Sequence, residues 1–221
     1  MGIDMRTLHT SGLRLLQIYS ELADSNEHLL DGLLLGQPPQ QWEHYPQDDA
    51  IDRESGYQWF YHSHSPEDRP GGAEHGHFHI FARRPLWSRR LQSRAEREFQ
   101  ELCDSPSPQT HTRHLLAIGL NAKGVPISVF TVNSWVTGDL MLSRQLTMEL
   151  LGSLRLNTGH AKLDALIESV VHLCVPEIQK IMGQRDEKLA SHPHANKLND
   201  ERLELLSELS IDLDAKLQSI L

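Results

Sequence analysis

Apolar residues change their spacing several times along the chain. Near the N-terminus Leu8, Leu15, Leu16, Ile18, Tyr19 and Leu22 recur at mostly three- and four-residue intervals, the period of an amphipathic helix. A second, shorter helix is expected around Leu29, Leu30, Leu33 and Leu34, with Asn26 as its cap and Gly36, Pro38 and Pro39 as its stop. Residues 37–55, rich in Pro, Gln and Asp, read as an irregular arm that Trp42, His44 and Tyr45 dock onto the body. From Tyr57 the spacing falls to two, predicting strands over 57–64 and 75–83 joined by a connection containing Pro and Gly. Leu91, Ala95, Phe99 and Leu102 then mark a helix over 88–102. His114–Leu120 and Val125–Val132 form the clearest hairpin, closed by Asn121, Ala122, Lys123 and Gly124.

After the turn Asn133–Asp139 the pattern is helical. Asp139 or Ser143 would cap a helix carrying Leu142, Leu146, Met148, Leu150 and Leu151. A longer helix runs from about residue 162 to 190, and Pro176 should start, kink or split it. Leu206, Leu209, Leu213, Leu217 and Ile220 form a narrow stripe, read as a final helix over 200–221 suited to a helical hairpin or a homodimer seam. The fold class is α+β: a four-stranded antiparallel sheet covered on one face by helices, with a helical C-terminal third. One domain, 1–221, would divide into N-terminal helices (1–36), arm and sheet (37–141) and a helical region (142–221).

Composition narrows the classes of function. Thirty acidic against 21 basic residues give a formal charge of -9 over 221 residues, which disfavours a general attraction to nucleic acid or anionic membranes. The arginines between Arg83 and Arg97 are interleaved with glutamates and read as a solvated helix face. The two cysteines, Cys103 and Cys174, make no paired motif, and are expected as one exposed and one buried thiol. No apolar run suits a membrane span and no secretory signal is evident, so a cytoplasmic location is expected.

Candidate chemistry concentrates in the first two strands. Five of the 14 histidines alternate there, as His62 and His64 and as His75, His77 and His79. Pairing the strands about the middle of their connection sets His62 opposite His77, His64 opposite His75, and His79 opposite Phe60. All five rings then share one face. The other face carries Tyr57, Trp59, Tyr61, Phe78 and Ile80, a sensible core. Imidazoles two apart on a strand or opposed across strands can reach one first-row ion, so His62, His64, His75, His77 and His79 are the candidate ligands of zinc or iron. Three ligands and an open position would let a bound water act as nucleophile near neutral pH. Alternation alone assigns His114 to neither face, and it places no carboxylate as general base: Glu74 has the opposite parity to His75.

Three resemblances follow from these residues. His75–Phe81, HGHFHIF, resembles the signature of the histidine triad nucleotide hydrolases and transferases, which implies a nucleophilic role for His77, although Gly76 fills a slot that is apolar there. The His-x-His pair resembles the metal motif of cupins. More broadly, Tyr61, His62 and His64, then Glu74–Phe81, then Trp135–Gly138 resemble a family of bacterial proteins of unknown function that share a YHxH, EHGHFHxF and WVTG core. That resemblance unites the histidine strands and the turn in one constellation. On that view Thr131, Asn133, Thr137 and Asp139 would supply hydrogen bonds beside the metal, with Trp135 as a wall; the histidine face would look toward the arm, so that Trp42 and Tyr45 join these residues as candidate substrate contacts.

The leading expectation is a metal-dependent hydrolase or oxygenase. The rivals are a non-catalytic binding or regulatory protein that dimerises through its C-terminal helices, and a nucleotide hydrolase or transferase using His77 without metal.

Overall fold

The computed structural model describes residues 4–41, 43–63, 73–103, 110–193 and 196–220. Helix α1 (Met5–Ser25) starts where the Asp4 carboxylate accepts the Thr7 N–H, and ends at Asn26 in the left-handed region, φ 54°. Asn26 is therefore the stop of the first helix and not the start of the second. A single turn follows, α2 (Asp31–Leu34). The expected arm contains an edge strand, β1 (Tyr45–Ile51), whose pairing shifts between Tyr45 and Ala50. The period-two segment forms β2 (Tyr57–Ser63) and β3 (Gly76–Arg83). A turn of helix, α3 (Arg84–Trp87), and then α4 (Arg94–Cys103) precede the predicted hairpin, β4 (Thr112–Leu120) and β5 (Pro126–Val132).

The short α5 (Ser134–Thr137) and β6 (Leu140–Met141) come next, and α6 (Arg144–Gly152) is capped by Ser143, whose side chain accepts the Leu146 N–H. The long helical pattern is split into α7 (Ala161–Leu173) and α8 (Val175–Ser191), with Pro176 in the first turn of α8, where its missing N–H costs no helical hydrogen bond. The predicted final helix is instead a 3-10 turn (Lys197–Asn199), a strand β7 (Leu205–Ser210) and α9 (Leu213–Ile220). Leu203, Leu205, Ser207, Leu209, Ile211 and Leu213 also alternate by two. Two periods thus coexist in the sequence, and the open edge of β5 selects the strand.

The sheet consequently has seven strands among the described residues, not four. Its order is β1-β2-β3-β4-β5-β7, antiparallel throughout, with the two-residue β6 lying parallel to β4. One face carries Trp59, Tyr61, Phe78, Ile80, Leu116, Ile118 and Val129, all fully buried beneath residues of α1, α6, α7 and α8. Burying side chains of this size contributes about 1.5–3 kcal/mol each, which fixes the register of β2 and β3: a slip by one residue would turn this set outward. Trp59 donates its indole N–H to Asp164 of α7 at 2.9 Å, tying the sheet to the helical layer. Leu206 and Leu213 are core residues, and Leu217 and Ile220 pack against Gly12 of α1. The C-terminal stripe therefore makes contacts within the chain. Cys103 is buried rather than exposed, and both thiols are free and pushed up to about 12 by burial.

Candidate functional site

The face opposite the helices carries the histidines. In the observed register His62 pairs with His77 and Phe60 with His79, as the alternation predicts. His77 and His79 continue the row into β4 opposite Gly119 and Ala117. His114 joins them through a β-bulge: Ile80 pairs with Leu116 but Phe81 pairs with His114, so Leu115 is the extra residue and His114 lands on the face opposite Leu116. Regular alternation would have kept His114 and Leu116 together, and no sequence pattern marks the bulge.

The result is a linear set of contacts running from the segment before β3 through β3 to β4. Glu74 Oε1 lies 2.8 Å from His77 Nδ1, His77 Nε2 lies 2.8 Å from His79 Nε2, and His79 Nδ1 lies 3.0 Å from His114 Nε2. An ionised carboxylate only accepts, so His77 must donate from Nδ1 and accept at Nε2. With neutral rings, His79 then donates from Nε2 and accepts at Nδ1 from His114. Burial supports neutrality, since His77, His79 and His114 are 3%, 1% and 2% exposed. The His114 ring is pushed down to about 3, first by loss of solvent and then by the charge of Arg185.

His62 lies alongside this row, with its ring centroid 4.4 Å from that of His77 and 5.6 Å from that of His79. One nitrogen each from His62, His77 and His79 fall within 4.8 Å of one another, close enough for a single ion. Aromatic rings frame the cluster. Phe130 stands edge-on to His77 at 5.0 Å, Phe60 lies 5.1 Å from His79, and Phe81 stands edge-on to His114 at 5.2 Å. From the arm, His44 stacks on Phe60 at 3.7 Å and contacts Asp49 at 3.0 Å, which is how the arm docks.

Two glycines make room for this arrangement. A Cβ on Gly76 would lie 2.6 Å from the His62 carbonyl oxygen and would also collide with the Tyr61 hydroxyl. That explains why glycine replaces an apolar residue between His75 and His77. A Cβ on Gly119 would meet Glu74 Oε2 at 2.5 Å and collide with Ser128 Oγ. The bare strand at Gly119 is what lets the carboxylate fold over β4 to reach His77.

The remaining predicted residues divide clearly. His75 is exposed just before β3, its N–H donating to the Leu120 carbonyl, and it is not part of the ligand group. His64 and Trp42 lie outside the described residues. The Tyr45 hydroxyl accepts the Gln40 N–H. Thr131 contacts Ser207 at 2.6 Å, and strand parity turns it to the helix-covered face with Val129. Asn133 caps α5 and donates to the Lys197 carbonyl, and Trp135 donates to the Leu203 carbonyl. Thr137 accepts the Asp139 N–H, and Asp139 accepts from Thr112 Oγ1 at 2.6 Å. In these contacts the turn anchors the segment that leads to β7. Glu74 is the member of the cluster that parity did not find: it precedes the strand, so alternation does not set its direction.

No curated protein and no solved structure matches the chain significantly. A family described as a domain of unknown function, DUF6969, matches residues 9–211, and the chain belongs to that family.

Proposed function

We propose that the protein holds one divalent transition metal, zinc or iron, at His62, His77 and His79, and uses it as a metal-dependent hydrolase or oxygenase. The observation that carries this reading is the convergence of the three ligand nitrogens, from His62, His77 and His79, within 4.8 Å of one another on one face of the sheet. Two nitrogens on one tetrahedral ion with bonds of about 2.0–2.1 Å stand about 3.4 Å apart. His77 Nε2 and His79 Nε2, at 2.8 Å, therefore need to part by about half an ångström, a small ring rotation.

Glu74 supports the same reading. A carboxylate that accepts the second ring N–H of a ligand histidine fixes its tautomer and raises its basicity. Glu74 does this for His77; for His79 to bind an ion through Nε2 its proton must move to Nδ1, where His114 Nε2, 3.0 Å away, would accept it. A metal with three neutral ligands and an open position acidifies a bound water or binds a small anionic reactant.

The test is elemental analysis of protein purified without a histidine tag. About one metal per chain is expected for a single-ion site, and it should be lost in a His62→Ala plus His77→Ala variant that keeps its circular dichroism. Folded wild-type protein that takes up no zinc or iron on dialysis would overturn the proposal.

A further inference from the structure

On the far side of the sheet, between the start of α1 and the C-terminal half of α7, lies a cavity of about 230 Å³ lined by Asp4, Arg6, Thr7, Thr10, Ser11, Arg14, Arg155, Glu168 and His172. Its acceptors are already engaged. Asp4 takes the Thr7 N–H and hydroxyl, one on each oxygen. Glu168 takes the Leu156 N–H at 2.6 Å and Arg14 Nη1 at 3.0 Å. Thr10 donates to the Arg6 carbonyl.

The donors are not exhausted. Arg155 Nη1 lies 3.1 Å from His172 Nε2, and a guanidinium only donates, so Nε2 is the acceptor and the neutral ring carries its proton on Nδ1. That Nδ1–H points at Ser11 Oγ, 3.3 Å away. Ser11 is thus an acceptor toward His172. This excludes His172 as the base of a serine nucleophile and leaves the Ser11 hydroxyl hydrogen without a partner among the described residues. Ser11 is 5% exposed, so a donor buried there is costly unless something accepts from it. Arg14 and Arg155 each use one Nη in these contacts, and three arginines face two carboxylates in a chain whose overall charge is -9. Burial, then Arg155 and Arg14, push His172 down to about 4, so it adds no charge near neutral pH.

The cavity continues into a groove of about 530 Å³ that shares Arg14, Arg155 and Glu168 and adds polar walls from Gln17, Glu21, Asn157, Lys162 and Asp164; Glu21 already accepts from Gln17, Asp164 from Trp59 and Thr158, and Lys162 pairs with Glu27 at 3.1 Å. We propose that this cavity binds a phosphate monoester, with the phosphate held by Ser11, Arg14 and Arg155 and a hydroxylated body lying along Gln17, Asn157 and Lys162. A planar guanidinium matches phosphate oxygens in paired fashion, and a surplus of donors with engaged acceptors selects an anion over a cation. The site is independent of the histidine cluster.

Titration of the full-length protein with glucose 6-phosphate, followed by amide NMR shifts and calorimetry at constant ionic strength, tests this. Saturable binding is expected, at least fivefold tighter than inorganic phosphate, with no response to glucose. Arg155→Gln and Ser11→Ala should each weaken it about tenfold, the loss of one good hydrogen bond to a charged group. Lys162→Gln, a change at an exposed side chain, should weaken glucose 6-phosphate and leave inorganic phosphate unchanged. No saturation up to about 20 mM, a range that reaches very weak affinities, would overturn the proposal. So would binding unaffected by Arg155→Gln in a folded variant, or binding confined to vesicles containing phosphatidic acid.

Discussion

Gly119→Ala offers a steric test of the histidine site, because it alters no ligand and no polar group. The added methyl would sit 2.5 Å from Glu74 Oε2 and would also collide with Ser128 Oγ. Ordinary contact begins near 3.5 Å, so the carboxylate must retreat by about 1 Å. Its other oxygen now stands 2.8 Å from His77 Nδ1; moved by that amount, the contact exceeds the range of a hydrogen bond. Losing a hydrogen bond between a charged and a neutral group costs about 1.5–3 kcal/mol. Loss of an outer-shell partner typically lowers metal affinity about 10- to 100-fold.

Competition between the apo-protein and a chromogenic chelator for zinc would read that affinity. Glu74→Gln should weaken binding by a similar factor, and Gly119→Ala should add little in the Glu74→Gln background, since both act through one contact. The methyl also overpacks the strand, at about 1–3 kcal/mol of stability, so the melting temperature of the apo-protein must be measured separately. Affinity within twofold of wild type in Gly119→Ala, or a full additional loss in the double variant, would refute the coupling of Gly119 and Glu74 to the metal.

Two further outcomes follow from the structure. The Tyr61 hydroxyl is buried without a hydrogen-bond partner among the described residues, so Tyr61→Phe should leave stability unchanged or raise it by up to about 1 kcal/mol, because a desolvated hydroxyl is removed; a urea midpoint showing a loss above about 1 kcal/mol contradicts this. His172, held near 4 against 6.5 for a free ring, binds fewer protons folded than unfolded between those values. Its contribution is therefore complete above pH 6.5 and falls as pH drops toward 4, by about 3 kcal/mol at most. Denaturation midpoints measured from pH 7.5 to 4.5 should slope less steeply in His172→Gln, and an unchanged slope would show that the ring titrates normally in the fold.

Much of the sheet was legible because strand period and burial agree there. Tyr57, Trp59 and Tyr61 alternate with residues of the other face, and the convergence of His62 on His77 follows from that alternation once the aromatic set is turned inward. Pro176 marked a break and Ser143 a cap, since both act through local backbone chemistry. The C-terminus misled for a physical reason: a run of leucines satisfied the helical and the strand period together, and only the unpaired edge of β5 distinguishes them. The edge strand β1 was hidden because its polar composition carries no alternation.

Strand alternation alone put His62, His77 and His79 on one face, because residues two apart or directly opposed share a side of the sheet. The rest of the site depends on contacts between strands. A bulge at Leu115 turned His114 into the row, a bare Gly119 admitted Glu74 across β4, and the start of β3 left His75 at the surface. None of these is periodic. Each depends on where a neighbouring strand lies, information that local spacing does not carry.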